Sequence, residues 1–321
     1  MIASARRARL SSYRLGDLKK LITARLSRLH TPSRPRLHTP TLHTPSLLRA
    51  ASTMSRSTVD LGHMTIKLLP ALSDNYMYLL IDKSTKQAAT VDPVKPEHIV
   101  SAVESEGLHL STVLTTHHHL DHAEGNEKLV SMVTGLTVCG NDDRIGALNK
   151  TVKHNDQFKV GSLTVTCLET PCHTKGHICY YVTSEDLSDK VVFTGDTLFV
   201  GGCGRFFEGT PEQMHHALCQ VLSSLPPDTG VYCGHEYTVS NLLYAQHVEP
   251  DNKALSEKLQ WAKDKRERDT PTIPSTIGQE LSFNPFMRVS EASVQNHCKT
   301  TDPISTMKFL REEKNGFKPK M

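Results

Sequence analysis

Residues 115–126 read TTHHHLDHAEGN and follow the β-branched, apolar run STVLTT at 111–116. Four histidines and an aspartate, His117, His118, His119, Asp121 and His122, fill five of six consecutive positions. A solvated polar turn is the plain structural reading of three histidines in a row. The strand pattern in front of them weakens it, because imidazoles turned inward at the end of a buried strand would leave ring nitrogens without partners. A metal ion is the economical partner, and the informative pattern is H-x-H-x-D-H. One ion cannot readily use all four of these groups together with further ligands, so the spacing points to two adjacent ions. Imidazole and carboxylate suit zinc or iron, whereas calcium and magnesium favour all-oxygen sites.

Further ligands must then come from later strand ends, and the chain supplies them. TPCHTKGH offers His173 after LTVTCLE, FTGDTL offers Asp196 after VVF, and YCGHEY offers His235 after GVYC. Each follows a predicted strand, as expected where α/β folds gather functional groups at strand ends. Alone, each is more often structural. His118 lies between candidate ligands and is expected to face away, and His177 is read as a supporting group. His215 and His216 fall on a predicted surface helix and need no functional reading.

The surrounding pattern is that of an α/β body. TIKLL, YMYLLID, AATVD, TVLTT, LTVTCL, ICYYVT, VVFTGD and GVYCG read as strands, and PEHIVSAVESEG and NEKLVSMVTG as amphipathic helices. GTPEQMHHALCQVLSSLPP is a helix with Thr210 as N-cap, Pro211 at the first position and Gln213 closing a capping box. After Tyr237 helical patterns take over: NLLYAQHVEP, NKALSEKLQWAKDKRER, and DPISTMKFLREEKNG with Asp302 as N-cap and Gly316 as terminator. With 321 residues, a large unit plus a smaller helical one is the natural division.

Residues 1–63 differ in character. The first 59 hold ten Arg and two Lys against a single acid, Asp17, a balance of +11 that leaves −8 for the rest of a chain whose net charge is +3. Arg-rich, Ser-rich and acid-poor, with three LHTP repeats, this stretch reads as a disordered leader of the mitochondrial transit type. That implies a matrix form, with a cytosolic form started at Met54 or Met64. An acidic body does not fit a nucleic-acid partner, and no apolar run is long enough for a membrane span. The eight cysteines show no CxxC pair or repeated spacing, which fits buried thiols in a reducing compartment.

The ordered appearance of all these groups resembles the metallo-β-lactamase superfamily. That resemblance implies an αβ/βα sandwich and a dinuclear site in which His117, His119 and His173 hold one ion, Asp121, His122 and His235 hold the other, and Asp196 bridges them. Zinc is the implied metal, with iron or manganese as alternatives.

Three stretches narrow the substrate. GGCGRFFEGTPEQM places Arg205 in a Gly-rich turn, GHEYT places Tyr237 two residues past a candidate ligand, and FLREEK places Arg311 and Lys314 on one helix face. From Met64 to Lys318 the chain resembles the glyoxalase II family, the hydroxyacylglutathione hydrolases. The resemblance implies a catalytic domain at 64–237 and a helical glutathione-binding domain at 238–321. The implied reaction is hydrolysis of S-D-lactoylglutathione and related 2-hydroxyacyl glutathione thioesters by a monomer, with Asp121 orienting the nucleophile and Arg205, Phe207, Tyr237, Arg311 and Lys314 around the glutathione. The family often has Lys at position 205, Tyr at 207 and Trp at 120, where this chain has Arg, Phe and Leu. Rival readings are a glutathione persulfide dioxygenase of the same superfamily and a silent glutathione- or metal-binding protein.

Overall fold

The computed structural model describes residues 57–318. Two sheets face each other. The first has seven strands in sequence order: β1 Ser57–Asp60, β2 Met64–Ala71, β3 Asn75–Asp82, β4 Gln87–Val91, β5 His109–Leu114, β6 Thr137–Gly140 and β7 Lys150–Thr151. In the second sheet, β8 Gln157–Val160, β9 Leu163–Glu169, β10 Ile178–Thr183 and β11 Lys190–Gly195 are followed by β14 Gly230–Cys233 and β15 Ser275–Thr276. A hairpin of β12 Leu198–Phe199 and β13 Gly202–Cys203 stands apart. The helices are α1 Pro96–Ser105, α2 Leu120–Ala123, α3 Asn126–Met132, α4 Pro211–His216, α5 Thr238–Val248, α6 Lys253–Glu267, α7 Ile277–Phe283, α8 Ala292–Cys298 and α9 Pro303–Gly316.

Period-two alternation explains how both sheets are buried on both faces. Every residue of β3 is buried. Tyr76, Tyr78 and Leu80 point into the core between the sheets with Val165, Tyr180, Phe193 and Tyr232. Met77, Leu79 and Ile81 point the other way, onto a core shared with Ile99 of α1 and Leu129 of α3. Likewise Val191 and Phe193 face the inter-sheet core, while Val192 joins Met214, Tyr244, Val294 and Leu310 beneath the helices of the second sheet. The layers are therefore helix, sheet, sheet, helix, the sandwich expected from the sequence.

Chain direction decides where the site lies. β4, β5 and β6 run parallel, as do β11 and β14, and β9 shares the direction of β11 through the intervening antiparallel β10. The loops after β4, β5, β9, β11 and β14 thus open at one rim. There the two sheets are tied together: Tyr76 N donates to Gly234 O at 2.8 Å and Glu236 N to Asp74 O at 2.8 Å.

Two boundaries differ from the sequence reading. Ser57–Asp60, expected within the leader at 1–63, is an edge strand paired with residues 65–68, the next three residues lead into β2, and residues 1–56 of that leader lie outside the described residues. Its short polar sequence, STVD, carries too little apolar signal to announce a strand. The helical segment beyond 237 also contributes β15, whose Ser275 and Thr276 pair with β14 at the edge of the second sheet. The capping box at Thr210 forms as expected, with Gln213 N donating to Thr210 Oγ1 and Thr210 N to Gln213 Oε1. All eight cysteines are free thiols.

Candidate metal centre

The strand of the opening motif ends at Leu114, and the chain then descends into the rim, burying His117 completely. His117 Nε2 lies 3.0 Å from His119 Nδ1, which lies 3.1 Å from His173 Nε2 in the loop after β9. His122, on the short helix α2, places Nε2 3.2 Å from His235 Nε2, just past β14. Asp196, after β11, sits between the two groups. Its Oδ2 is 3.4 Å from His173 Nε2, and its Oδ1 is 3.4 Å from His122 Nε2 and 3.5 Å from His235 Nε2. Asp121 Oδ2 completes the second group, 3.4 Å from His235 Nε2 and 3.7 Å from His122 Nε2. All seven expected donors come together.

Ring orientation is set from outside. His173 Nδ1 donates to the carbonyl of Arg205 at 2.9 Å, an acceptor only. His122 Nδ1 donates to Asp92 at 2.9 Å and His235 Nδ1 to Asp74 at 2.8 Å. The Thr116 hydroxyl gives its proton to Asp92 at 2.7 Å, so its oxygen accepts from His117 Nδ1 at 3.0 Å. In the neutral form of His117, His122, His173 and His235, the form that ligates a metal, these partners leave the Nε2 lone pair bare and pointing inward.

Converging lone pairs about 3 Å apart repel unless a cation lies between them. A tetrahedral ion with ligands at about 2.0–2.1 Å has donor–donor edges of about 3.3 Å, close to the separations found here. Asp196 Oδ1 is buried and accepts no hydrogen bond. Gly195 and Gly234 add to the cradle: a Cβ at Gly195 would sit 2.5 Å from Thr116 Oγ1, and one at Gly234 would collide with Asp196 Oδ1. The donor set fits a pair of divalent ions.

The electrostatics divide between the two groups. Burial opposes protonation of His122 and His235, but Asp196 with Asp92 outweighs it at His122, and Asp196 with Asp121 and Asp74 at His235. Both rings are raised and therefore hold protons that a bound cation would displace. Burial, reinforced by neighbouring imidazoles, holds His117 well below its ordinary pKa, and burial likewise lowers His119 and His173, favouring neutral ligands. Asp121 is held below the usual carboxylate range first by its hydrogen bond with His235, with Asn75 Nδ2 donating at 3.1 Å. Burial opposes ionisation of Asp196, but His122, His235 and His173 together keep it a carboxylate.

Beside the donors opens a cleft of about 400 Å³, lined by His173, Asp196, Arg205, Phe207, Tyr237, Arg311 and Lys314 among others. Tyr237 stacks on His235 with ring centroids 4.7 Å apart, and Phe207 stands 5.1 Å from the His173 ring and is 60% exposed. Arg311 is buried. Its Nη1 donates to Cys203 O at 2.8 Å, while its Nε has no partner. Burial, then Arg311 and Arg205, push Lys314 down to about 8. Three cations, Arg205 from the Gly-rich turn and Arg311 and Lys314 from α9, thus crowd one cleft, as a polyanionic ligand would require.

Comparison with known proteins accounts for both halves of this arrangement. The metallo-beta-lactamase superfamily model matches residues 149–235 and the model for the hydroxyacylglutathione hydrolase C-terminus matches 236–317. A hydroxyacylglutathione hydrolase named cytoplasmic, from Arabidopsis thaliana, is 49% identical over 79% of this chain and 100% of its own length. A probable hydroxyacylglutathione hydrolase from Schistosoma mansoni is 54% identical over 70% of this chain and 97% of its own. The chain belongs to the hydroxyacylglutathione hydrolase family. Among solved structures, ETHE1 from Myxococcus xanthus is similar at 28% identity and a TM-score of 0.57, covering 79% of this chain and 92% of that one. A metallo-beta-lactamase from Staphylococcus aureus shares the fold at 21% identity and a TM-score of 0.54, over 80% of this chain and 74% of that one.

Of the histidines set aside from the ligand set, His177 supports the donors and the others point elsewhere. His177 accepts from Asp196 N at 3.2 Å and stacks on His117 at 5.1 Å. His118 turns away, 3.5 Å from Asp142. His215 is partly exposed and His216 exposed. Leu120 is 71% exposed and fills no core position. Sequence reasoning missed Asp74, Asp92 and Thr116, which fix the rings. Asp92 had a usable signal, an acid at the end of the predicted strand AATVD. Its φ of 48° is a left-handed backbone unusual for a non-glycine residue, held by Thr116 N donating to Oδ1 at 2.8 Å.

Proposed function

We propose that this chain hydrolyses S-D-lactoylglutathione and related 2-hydroxyacyl glutathione thioesters to glutathione and the free hydroxy acid, the second step of methylglyoxal detoxification. The observation that carries the reading is the opening of a seven-donor cage into a cleft where Arg205, Arg311 and Lys314 converge. His117, His119 and His173 would hold one divalent ion, Asp121, His122 and His235 the other, and Asp196 would reach both. Zinc is the metal this imidazole and carboxylate set favours, with iron and manganese accommodated by the same donors. Ions bound there would supply Lewis acidity to the thioester carbonyl and lower the pKa of water toward neutrality.

The chain's own groups do the rest. Arg311 Nε, Lys314 and Arg205 grip the glutathione carboxylates, and Tyr237 and Phe207 wall the thioester against the donors. Asp121, held ionised and braced by Asn75, orients the attacking water by accepting from it. Its low pKa suits orientation better than proton storage. Water oxygen adds to the carbonyl carbon as one of its protons passes to bulk water. The carbon–sulfur bond breaks with its electron pair going to sulfur, and glutathione leaves as thiolate while the hydroxy acid releases the second proton to solvent. A thiol pKa of about 8.5 means that no strong general acid is needed.

The segment 238–321 supplies Arg311 and Lys314 to the glutathione grip, and 64–237 supplies Arg205 and the chemistry. The basic leader directs one form to the mitochondrial matrix, while starts at Met54 or Met64 give a cytosolic form; amino-terminal sequencing of protein from each fraction tests this, and a single shared terminus would refute it. Among the described residues no helix is long and apolar enough to cross a membrane. A monomer suffices, because every group named comes from one chain.

Kinetics of Arg311→Ala and Lys314→Ala test the substrate assignment. Loss of a charge-assisted contact of roughly 1.5–3 kcal/mol should raise KM by about 10- to 100-fold with little change in kcat. An unchanged KM in both variants would remove the cleft from glutathione binding.

A further inference from the structure

Imidazole and carboxylate donors converge at another place, outside the cleft. His247 near the end of α5, His297 of α8 and Glu313 of α9 bring their donor atoms within 4.8 Å of one another. His247 Nε2 is 3.3 Å from Glu313 Oε1, and His297 Nε2 is 2.9 Å from Glu313 Oε2. The two rings stand at 85° with centroids 4.9 Å apart. None of the three residues lines the substrate cleft.

Two neutral histidines donating to one carboxylate would form an ordinary latch between helices. Three features favour an ion. Both rings aim Nε2 at the carboxylate, and the separations are near the tetrahedral edge of about 3.3 Å. The Tyr244 hydroxyl shares its one proton between Leu310 O at 2.8 Å and Glu313 Oε2 at 3.0 Å, so the carboxylate is braced from the side of α5 as partners around a ligating group do. The Phe317 ring lies 5.3 Å from His247 and the Phe309 ring 6.2 Å from His297, an apolar wall on two sides, while His247 remains 46% exposed at its side chain and leaves a path for entry.

We propose that His247, His297 and Glu313 form a separate divalent-metal site, of the two-imidazole, one-carboxylate kind that takes zinc with water in the remaining position. Binding replaces two N–H···O contacts by ligation and ties α5, α8 and α9 together at one point. Because α9 also carries Arg311 and Lys314, the ion braces the helix that presents both cations to the cleft.

Zinc counting on the full chain tests this independently of the seven-donor cage, which wild type and variants share. After removal of metal and equilibration with zinc, the His247→Ala/His297→Ala protein should hold one ion fewer than wild type. Glu313→Gln, which keeps the side-chain shape and an acceptor for Tyr244, should show the same deficit and decides the matter if the double variant fails to fold. Excess zinc should also raise the unfolding midpoint of wild type more than that of Glu313→Gln. Equal ion counts in wild type and Glu313→Gln would overturn the proposal and leave the cluster a hydrogen-bonded latch.

Discussion

Asp121 shows how one side chain ties the motif to chemistry. Its Oδ2 faces both His122 and His235 and also accepts from Asn75 Nδ2 at 3.1 Å. Asp121→Ala removes a donor and the orienting carboxylate together, so kcat should fall by at least ~10²-fold; near-normal turnover in a metal-replete variant would remove Asp121 from the mechanism. Phe207 carries the opposite lesson. Exposed beside His173, it offers surface but no hydroxyl where the family often has Tyr. Phe207→Tyr should lower KM by roughly 2- to 10-fold, the worth of one neutral hydrogen bond, and an unchanged or higher KM would show that no substrate group waits there. The seven donors were legible because their spacing and strand context are unusual. Asp74 and Thr116 were not, since an acid or threonine in a turn reads as turn chemistry until the ring it orients is seen, and Asp92 offered only its place at a strand end.

At the scale of elements, α7 holds the Gly-rich turn from below. The fully buried Glu280 accepts from Gly201 N at 2.9 Å, Ser275 Oγ at 2.5 Å and Asn284 Nδ2 at 2.9 Å, and Asn284 also donates to Gly202 O at 3.1 Å. Burial pushes the Glu280 carboxyl up from 4.5 to about 7 despite those donors. The folded state therefore binds this proton more tightly than the unfolded state does. Its contribution to stability is complete below pH 4.5 and is lost as pH rises through about 7, on the order of 3 kcal/mol in all. Glu280→Gln removes that dependence, so the stability of the variant relative to wild type should rise between pH 5 and pH 8 by up to that amount. A constant difference across the range would mean that Glu280 is ionised throughout. Nothing in the sequence STIGQELSFNP singled out this carboxylate, because a glutamate on a short helix is ordinarily solvated. The long elements were legible for the converse reason. α6 and α9 carry caps and periodicity over 15 and 14 residues, and the shorter α4 a complete capping box, whereas β1, β12, β13 and β15 have only two to four residues and no pattern to read.

Across the whole molecule, the double sheet delivers five loops to one rim, and the helices beyond residue 237 close the cleft with two cations. The layers followed from apolar alternation, most clearly in YMYLLID, where one set of side chains faces the second sheet and the other faces α1 and α3. What alternation cannot convey is the distance between remote parts of the chain, such as Glu236 accepting from Tyr76 and from Thr272 N, which joins the first sheet to the segment before β15. The central claim is that seven donors hold divalent ions on which thioester hydrolysis depends. The most direct test is the hydrolysis of S-D-lactoylglutathione by the purified chain before chelation, after chelation and after zinc is returned, with metal content measured on each sample. Turnover should vanish with the ions and return as the cage refills; full activity in metal-free protein would contradict it.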